Sequence, residues 1–158
     1  MVAPSEPAGL FTPSSVFVYG TLMPGERYER VAHAAAPPQR AEPAHLDGYT
    51  LYDLRPEGYP ALAAGGGRVY GWVLHYGAGW EAALPHLDDL EGLHLTPPLY
   101  RREQVQASTQ SGPQRVWVYL YTRAARLAAQ GAAVLPSGRW TDAPDRQGGA
   151  GWPGSEEE

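Results

Sequence analysis

Between Leu99 and Thr122 the chain reads LYRREQVQA, then STQSGP, then QRVWVYLYT. Two runs rich in β-branched and aromatic residues, separated by a Ser/Gly/Pro break, are the signal of a β-hairpin. Side chains along a strand change face at every step, so Val116, Val118 and Leu120 share one side and Trp117, Tyr119 and Tyr121 the other. The aromatic side reads as a packed sheet face more readily than as a ligand wall. The chain is thereby committed to a sheet.

Three further segments supply strands. Val16–Tyr19 (VFVY) is a short apolar run, and Leu46–Leu54 (LDGYTLYDL) is another candidate. In Arg68–Tyr76, Val69, Gly71, Val73 and His75 alternate with Tyr70, Trp72, Leu74 and Tyr76. The intervening AAGGGRV (Ala63–Val69) reads as a hairpin loop rather than a phosphate cradle. Helical signals are fewer. RYERVAHAAA (Arg27–Ala36) is alanine-rich and stops before Pro37-Pro38. WEAALPHLDDLEG (Trp80–Gly92) carries Leu84, Leu87 and Leu90 at helical spacing, Gly92 standing where a helix ends, and Pro85 marking a kink or restart. TRAARLAAQG (Thr122–Gly131) is a third, weaker helix. Mostly antiparallel strands with a few short helices define an α+β fold.

The 158 residues suit one domain, and 43% hydrophobic residues with 19 Gly and 16 Pro describe a globular chain of short elements and many turns. We place that domain at 16–141, after a Pro/Ser-rich lead-in (1–15) that reads as flexible and before a Gly/Pro/acidic tail (142–158) that reads as disordered. No repeat of fixed period is present.

Several functions are excluded by what the chain lacks. The net charge is −5 and the longest basic run is Arg101-Arg102, so nucleic acid is not an expected partner. All 12 Lys+Arg residues are arginine, which removes Schiff-base chemistry and the lysine-bearing phosphate loop. Without cysteine there is no thiol nucleophile, thiolate metal site or disulfide. His33, His45, His75, His86 and His94 form no HExxH pattern, and no metal is expected. No serine sits in a G-x-S-x-G elbow. No apolar run reaches the roughly 20 residues of a membrane helix, and the first residues do not resemble a signal peptide. A cytoplasmic protein without membrane contact is the default expectation; the oligomeric state is left open.

Two stretches can carry chemistry. In LDDLEG (Leu87–Gly92), Glu91 falls in the last turn of the expected helix, where unpaired carbonyls oppose an ionised carboxylate. Asp88, three residues earlier on nearly the same face, adds like-charge repulsion. Both effects raise the pKa of Glu91 and make it a better proton carrier near neutral pH. The plain alternative is a solvated acidic helix end. In VFVYGTLMPGE (Val16–Glu26) a strand stops abruptly at Gly20. Either the glycine merely lets the chain turn, or the backbone N–H groups of Gly20, Thr21 and Leu22, with the Thr21 hydroxyl, form a seat for a carboxylate. His86 and His94 flank the acidic cluster and fit a helix surface or loop better than a cleft.

The order of motifs is more specific than any one of them: VFVYGTL, GYPAL (Gly58–Leu62), VYGWVLHY, LDDLEG, PLYRREQV (Pro98–Val105), VWVYLY and LPSGRW (Leu135–Trp140). This series resembles the γ-glutamylcyclotransferase-like superfamily, in particular its γ-glutamylamine cyclotransferase and AIG2-like branch, from Val16 to Trp140. The resemblance implies a small, mixed, mostly antiparallel β-barrel flanked by short helices, with a cavity at one mouth. It implies cyclisation of a γ-glutamyl amide to 5-oxoproline and a free amine, without cofactor or metal. Carried onto this chain, it makes Glu91 the catalytic acid/base and Tyr19, Gly20, Thr21 and Leu22 the substrate loop. Tyr119, with Tyr121 as its rival, becomes the cavity tyrosine. The runner-up is a non-catalytic module whose cavity holds a small carboxylate or amino acid. A third reading makes the aromatic sheet face a protein-binding surface. One departure is Arg139, where the family often has an acidic residue after PSG.

Overall fold

The structure is a computed structural model that describes residues 12–55, 58–93, 95–96 and 98–143. Among the described residues there are six strands: β1 (Ser15–Val18), β2 (Arg40–Leu54), β3 (Tyr59–His75), β4 (Tyr100–Thr109), β5 (Gly112–Tyr121) and β6 (Ala132–Val134). Their order is β3-β1-β5-β4-β2-β6, and β2 also pairs with β3. The first five strands of that order therefore close on themselves as a mixed barrel. β6 is added outside the ring on Tyr52–Leu54 of β2. β1 runs parallel to β5, Val16 facing Trp117, while the other pairs are antiparallel. The α+β barrel expected from the sequence is the fold observed.

The β4–β5 hairpin pairs from Tyr100↔Tyr121 to Thr109↔Gly112. The strands thus run through most of STQSGP, which is a tighter turn than the loop expected. Extra strand is also found in β2, which starts at Arg40 rather than Leu46. Pro43 is tolerated there because the described pairing of β2 with β4 begins only at Ala44, leaving that side of Pro43 without a strand to bond.

The glycine run is where the sequence misleads. Ala63–Gly67 is not a hairpin loop but part of β3, with Tyr49 of β2 facing both Ala64 and Gly67 across a register shift. The two long strands turn instead between Leu54 and Tyr59. A bulge and a loop use the same small, permissive residues, so local composition does not separate them.

The helices are shorter than expected. α1 (Glu29–Ala32) is a single turn within Arg27–Ala36, and among its residues only Ala32 is buried. α3 (Ala124–Leu127) is likewise one turn, and the chain beyond it enters β6, three residues too short to announce themselves. α2 (Trp80–Leu90) passes through Pro85 without a restart. Pro85 removes the donor to the Glu81 carbonyl, but both residues are exposed and water can serve that carbonyl. The other face holds the helix: Trp80, Ala83, Leu87 and Leu90 are buried, each large side chain contributing roughly 1.5–3 kcal/mol.

Ser15, assigned to the lead-in, already belongs to β1, and the Pro13 carbonyl accepts a hydrogen bond from Trp117 Nε1 at 3.0 Å. Residues 1–11 of the lead-in and 144–158 of the tail lie outside the described residues. No helix among the described residues is long and apolar enough to cross a membrane.

Candidate active site

The end of α2 is built to hold Glu91 in place. Glu91 caps the helix, Gly92 follows at φ +72°, and the N–H groups of Gly92 and Leu93 bond to the carbonyls of Asp89 (3.2 Å) and Asp88 (3.1 Å). This is a Schellman turn, whose left-handed residue favours glycine. The buried stripe of α2 pins the turn to the barrel, and Glu91 is only 6% exposed. Burial, and secondarily the Asp88 charge, push the Glu91 carboxyl up to about 8. The direction is that expected from LDDLEG. The largest cause is not, because desolvation of a carboxylate depends on what the fold packs around it.

The glycine of YGTL answers to a close approach. Gly20 is not among the described glycines at positive φ, but a Cβ there would stand 2.3 Å from Pro60 Cγ. The chain then turns, with Met23 N–H bonded to the Gly20 carbonyl at 3.0 Å and Tyr28 N–H to the Thr21 carbonyl at 2.8 Å. β1 pairing ends at Val18, and among the described residues the N–H groups of Gly20, Thr21 and Leu22 reach no acceptor. Thr21 and Leu22 are 2% and 4% exposed. Backbone donors buried without acceptors are costly, about 1–3 kcal/mol each, and an incoming anion recovers that cost.

These two pieces meet. Tyr19, Gly20, Thr21, Leu22, Glu91 and Tyr119 line one narrow cavity, together with Phe17, Val18 and Pro60. All six residues singled out in the sequence are thus neighbours. The space left for water centres is about 10 Å³, room for about one water.

Tyrosines brace the walls. Tyr19 Oη donates to the Tyr119 carbonyl at 2.7 Å, and Tyr119 Oη donates to Asp88 Oδ1 at 2.7 Å. Arg102 Nε donates to the same Asp88 oxygen at 2.8 Å. Tyr100 Oη donates to the Pro60 carbonyl. Burial, reinforced by the nearby carboxylates, holds the Tyr19, Tyr100 and Tyr119 phenols well above their ordinary range. They remain donors across any working pH.

Other candidates fall elsewhere. Tyr121 is outside the cavity wall and meets Tyr100 edge-on with centroids 5.3 Å apart. His86 is exposed on the outer face of α2, and His94 lies outside the described residues. Arg139 does not reach the Glu91 cavity; its guanidinium lies over the Tyr70 ring, 3.9 Å from the centroid, beside a separate recess of about 310 Å³. Sequence reading did not single out Arg102 or Pro60, although both sit inside quoted motifs (PLYRREQV and GYPAL). Among the described residues no group of three or more His, Cys, Asp or Glu is placed to hold a metal ion.

A closed mixed barrel with an acid buried beside a turn of unpaired backbone donors, both lining one cavity, defines a class of small α+β proteins. The family model described as "Gamma-glutamyl cyclotransferase, AIG2-like" matches residues 16–142, and the chain belongs to that family. Solved structures share the fold. An uncharacterized protein from Pyrococcus horikoshii is 19% identical with TM-score 0.53, over 81% of this chain and 90% of that one. YkqA from Bacillus subtilis is 21% identical with TM-score 0.57, over 81% of this chain and 39% of that one. Allophanate hydrolase from Kluyveromyces lactis is 13% identical with TM-score 0.53, over 84% of this chain and 21% of that one. The comparison with curated proteins gives no match.

Proposed function

We propose that this protein is a γ-glutamyl cyclotransferase acting on a small γ-glutamyl amide, with Glu91 as the single proton carrier. Family membership supports a cyclotransferase-type activity in general. The observation that carries the finer reading is a carboxyl pushed up to about 8 that shares one cavity with the unpaired N–H groups of Gly20, Thr21 and Leu22.

The chemistry follows from those groups. The backbone donors grip the substrate α-carboxylate, placing the α-amine against its own γ-carbonyl, and this orientation supplies much of the rate. The α-ammonium becomes a nucleophile when ionised Glu91 takes a proton from it. The nitrogen–carbon bond of the five-membered ring forms, and the γ-amide carbon–nitrogen bond breaks. Glu91 returns its proton to the departing nitrogen, and the second proton that the ring nitrogen sheds as the lactam forms goes to the released amine, so 5-oxoproline and an ammonium leave with Glu91 ionised again and no water consumed. A carboxyl near 8 suits both transfers, since it lies between ordinary carboxylates and amines.

A γ-glutamyl head is larger than the space of one water, so the wall moves to admit it. Leu22 is shared between this cavity and a neighbouring recess of about 230 Å³ beside Arg40 and Leu74.

The test is 5-oxoproline release from a panel of γ-glutamyl amides, both dipeptides and γ-glutamyl amines. Release is expected from at least one, with kcat/KM climbing as pH rises toward about 8, where Glu91 becomes a base. Silence across the panel from a well-folded protein rejects catalysis. The unpaired N–H groups of Gly20, Thr21 and Leu22 also favour a second reading, a module that holds a small carboxylate without turning it over. That reading predicts saturable thermal stabilisation by glutamate or 5-oxoproline and no product.

A further inference from the structure

The YRR triplet that opens β4 has no part in the proton shuttle, yet two of its members reach the site. Tyr100 is fully buried and bonds to the carbonyl of Pro60, a cavity residue. Arg101 points the other way and pairs with exposed Glu103 at 2.5 Å. Arg102 turns inward again by the strand alternation and meets Asp88, the two side chains being 25% and 24% exposed. Its guanidinium also lies over the Trp117 ring, 5.1 Å from the centroid, which restrains the side chain in place. Asp88 Oδ1 thus receives two donors, Arg102 Nε from β4 and Tyr119 Oη from β5. A charge-assisted bond on one side and a phenol on the other fix a carboxylate that would otherwise swing on a helix surface.

The geometry points to Arg102–Asp88–Tyr119 as a positioning relay that acts through Glu91. Arg102 and Tyr119 lock the Asp88 carboxylate one helical turn before Glu91, and that fixed charge governs when Glu91 takes up and gives back its proton. The inference rests on the reading of Glu91 as the acid/base, and it assigns the third residue of YRR a role that the shuttle lacks. The groups facing Glu91 bear it out: Asp88 on α2, Tyr19 after β1, Tyr100 on β4 and Tyr119 on β5 all interact with it electrostatically. Of these Asp88 is the one carboxylate, and its charge raises the Glu91 carboxyl, while burial holds the phenols protonated. Arg102 donates to Asp88 from β4 at 2.8 Å, and its positive charge is opposite to that of the carboxylate it holds. Asp88 and Arg102 therefore act on Glu91 with opposite signs.

Opposite signs give a test that a merely structural pair would not pass. The readout is the carboxyl carbon resonance of Glu91, titrated in the full chain labelled with ¹³C-glutamate and assigned by its loss in Glu91→Gln. Asp88→Asn keeps an acceptor for both donors but removes the charge, so the Glu91 midpoint falls by about one pH unit. Arg102→Gln leaves the Asp88 charge unbalanced, so the midpoint rises, while Arg102→Lys restores it toward wild type. The acidic limb of kcat/KM for 5-oxoproline release moves with each midpoint. Should Asp88→Asn not fold, the Arg102→Gln and Arg102→Lys pair still decides, since Arg102 lies at a partly exposed position. Midpoints that stay still, or that move the same way in both charge-removing variants, overturn the relay. Opposed midpoints in a protein that releases no 5-oxoproline uphold the relay's electrostatics and reject the cyclotransferase reading instead.

Discussion

Glu91→Gln loses 5-oxoproline release by at least about 100-fold, the range for removing a general acid/base, and yet resists unfolding better than wild type at alkaline pH. The second half follows from proton linkage. In the unfolded chain Glu91 ionises near the ordinary 4.5, whereas in the fold it holds its proton to about 8. Between those values the folded state binds one more proton than the unfolded state, so wild-type stability falls as pH rises through the window. Below about 4.5 both states are protonated and this group costs nothing. Above about 8 the cost has reached its full size. The slope is about 1.4 kcal/mol per pH unit, so the whole effect is a few kcal/mol. Glutamine has no such slope. Chemical denaturation of both proteins at intervals from pH 5 to 9 measures it directly, and parallel stability curves would show that Glu91 is not held protonated by the fold. A variant that is more stable and inactive is also the signature of a site kept at the expense of stability, rather than of a helix end that happens to be acidic.

Gly20→Ala damages activity from the other side of the cavity. The new methyl would stand 2.3 Å from Pro60 Cγ and 3.0 Å from its Cβ. Pro60 cannot simply retreat: it faces Asp53 in the β2–β3 ladder, and its carbonyl accepts the buried Tyr100 hydroxyl. The loop must therefore shift, carrying the N–H groups of Gly20, Thr21 and Leu22 away from the substrate carboxylate. Overpacking of this kind costs about 1–3 kcal/mol, lowering the melting temperature by roughly 2–4 °C per kcal/mol. The catalytic loss is larger, on the order of 100-fold in kcat/KM, because a displacement of about 1 Å is enough to spoil a cyclisation geometry. Steady-state kinetics beside a thermal melt separate the two effects. Full activity in a variant of lowered melting temperature would mean that the loop does not hold the substrate.

The parts legible in the sequence are those whose cause is local. The β4–β5 hairpin is written in alternation around a turn, and the end of α2 in a leucine stripe followed by Gly92. The upward direction of the Glu91 pKa could be read from Asp88 and a helix terminus alone. Likewise YGTL announced an interrupted strand, although its glycine is required by Pro60, forty positions further along, and not by the turn itself. The Ala63–Gly67 run deceived because a bulge differs from a loop only in what lies opposite, and Tyr49 of another strand lies opposite.

What the tertiary structure alone decided is everything that depends on distant partners. Tyr19 is joined to Tyr119 across a separation of 100 residues, Tyr100 to Pro60 across 40, and Arg102 to Asp88 across 14. Closing the barrel by pairing β2 with β3 and β1 with β5 is what brings such groups together. The same closure excludes water from around Glu91 and makes burial the leading cause of its shift. A sequence states which residues can carry a proton or donate a bond; whether they lose their water and find one another is set by the packing of segments that are not neighbours in the chain.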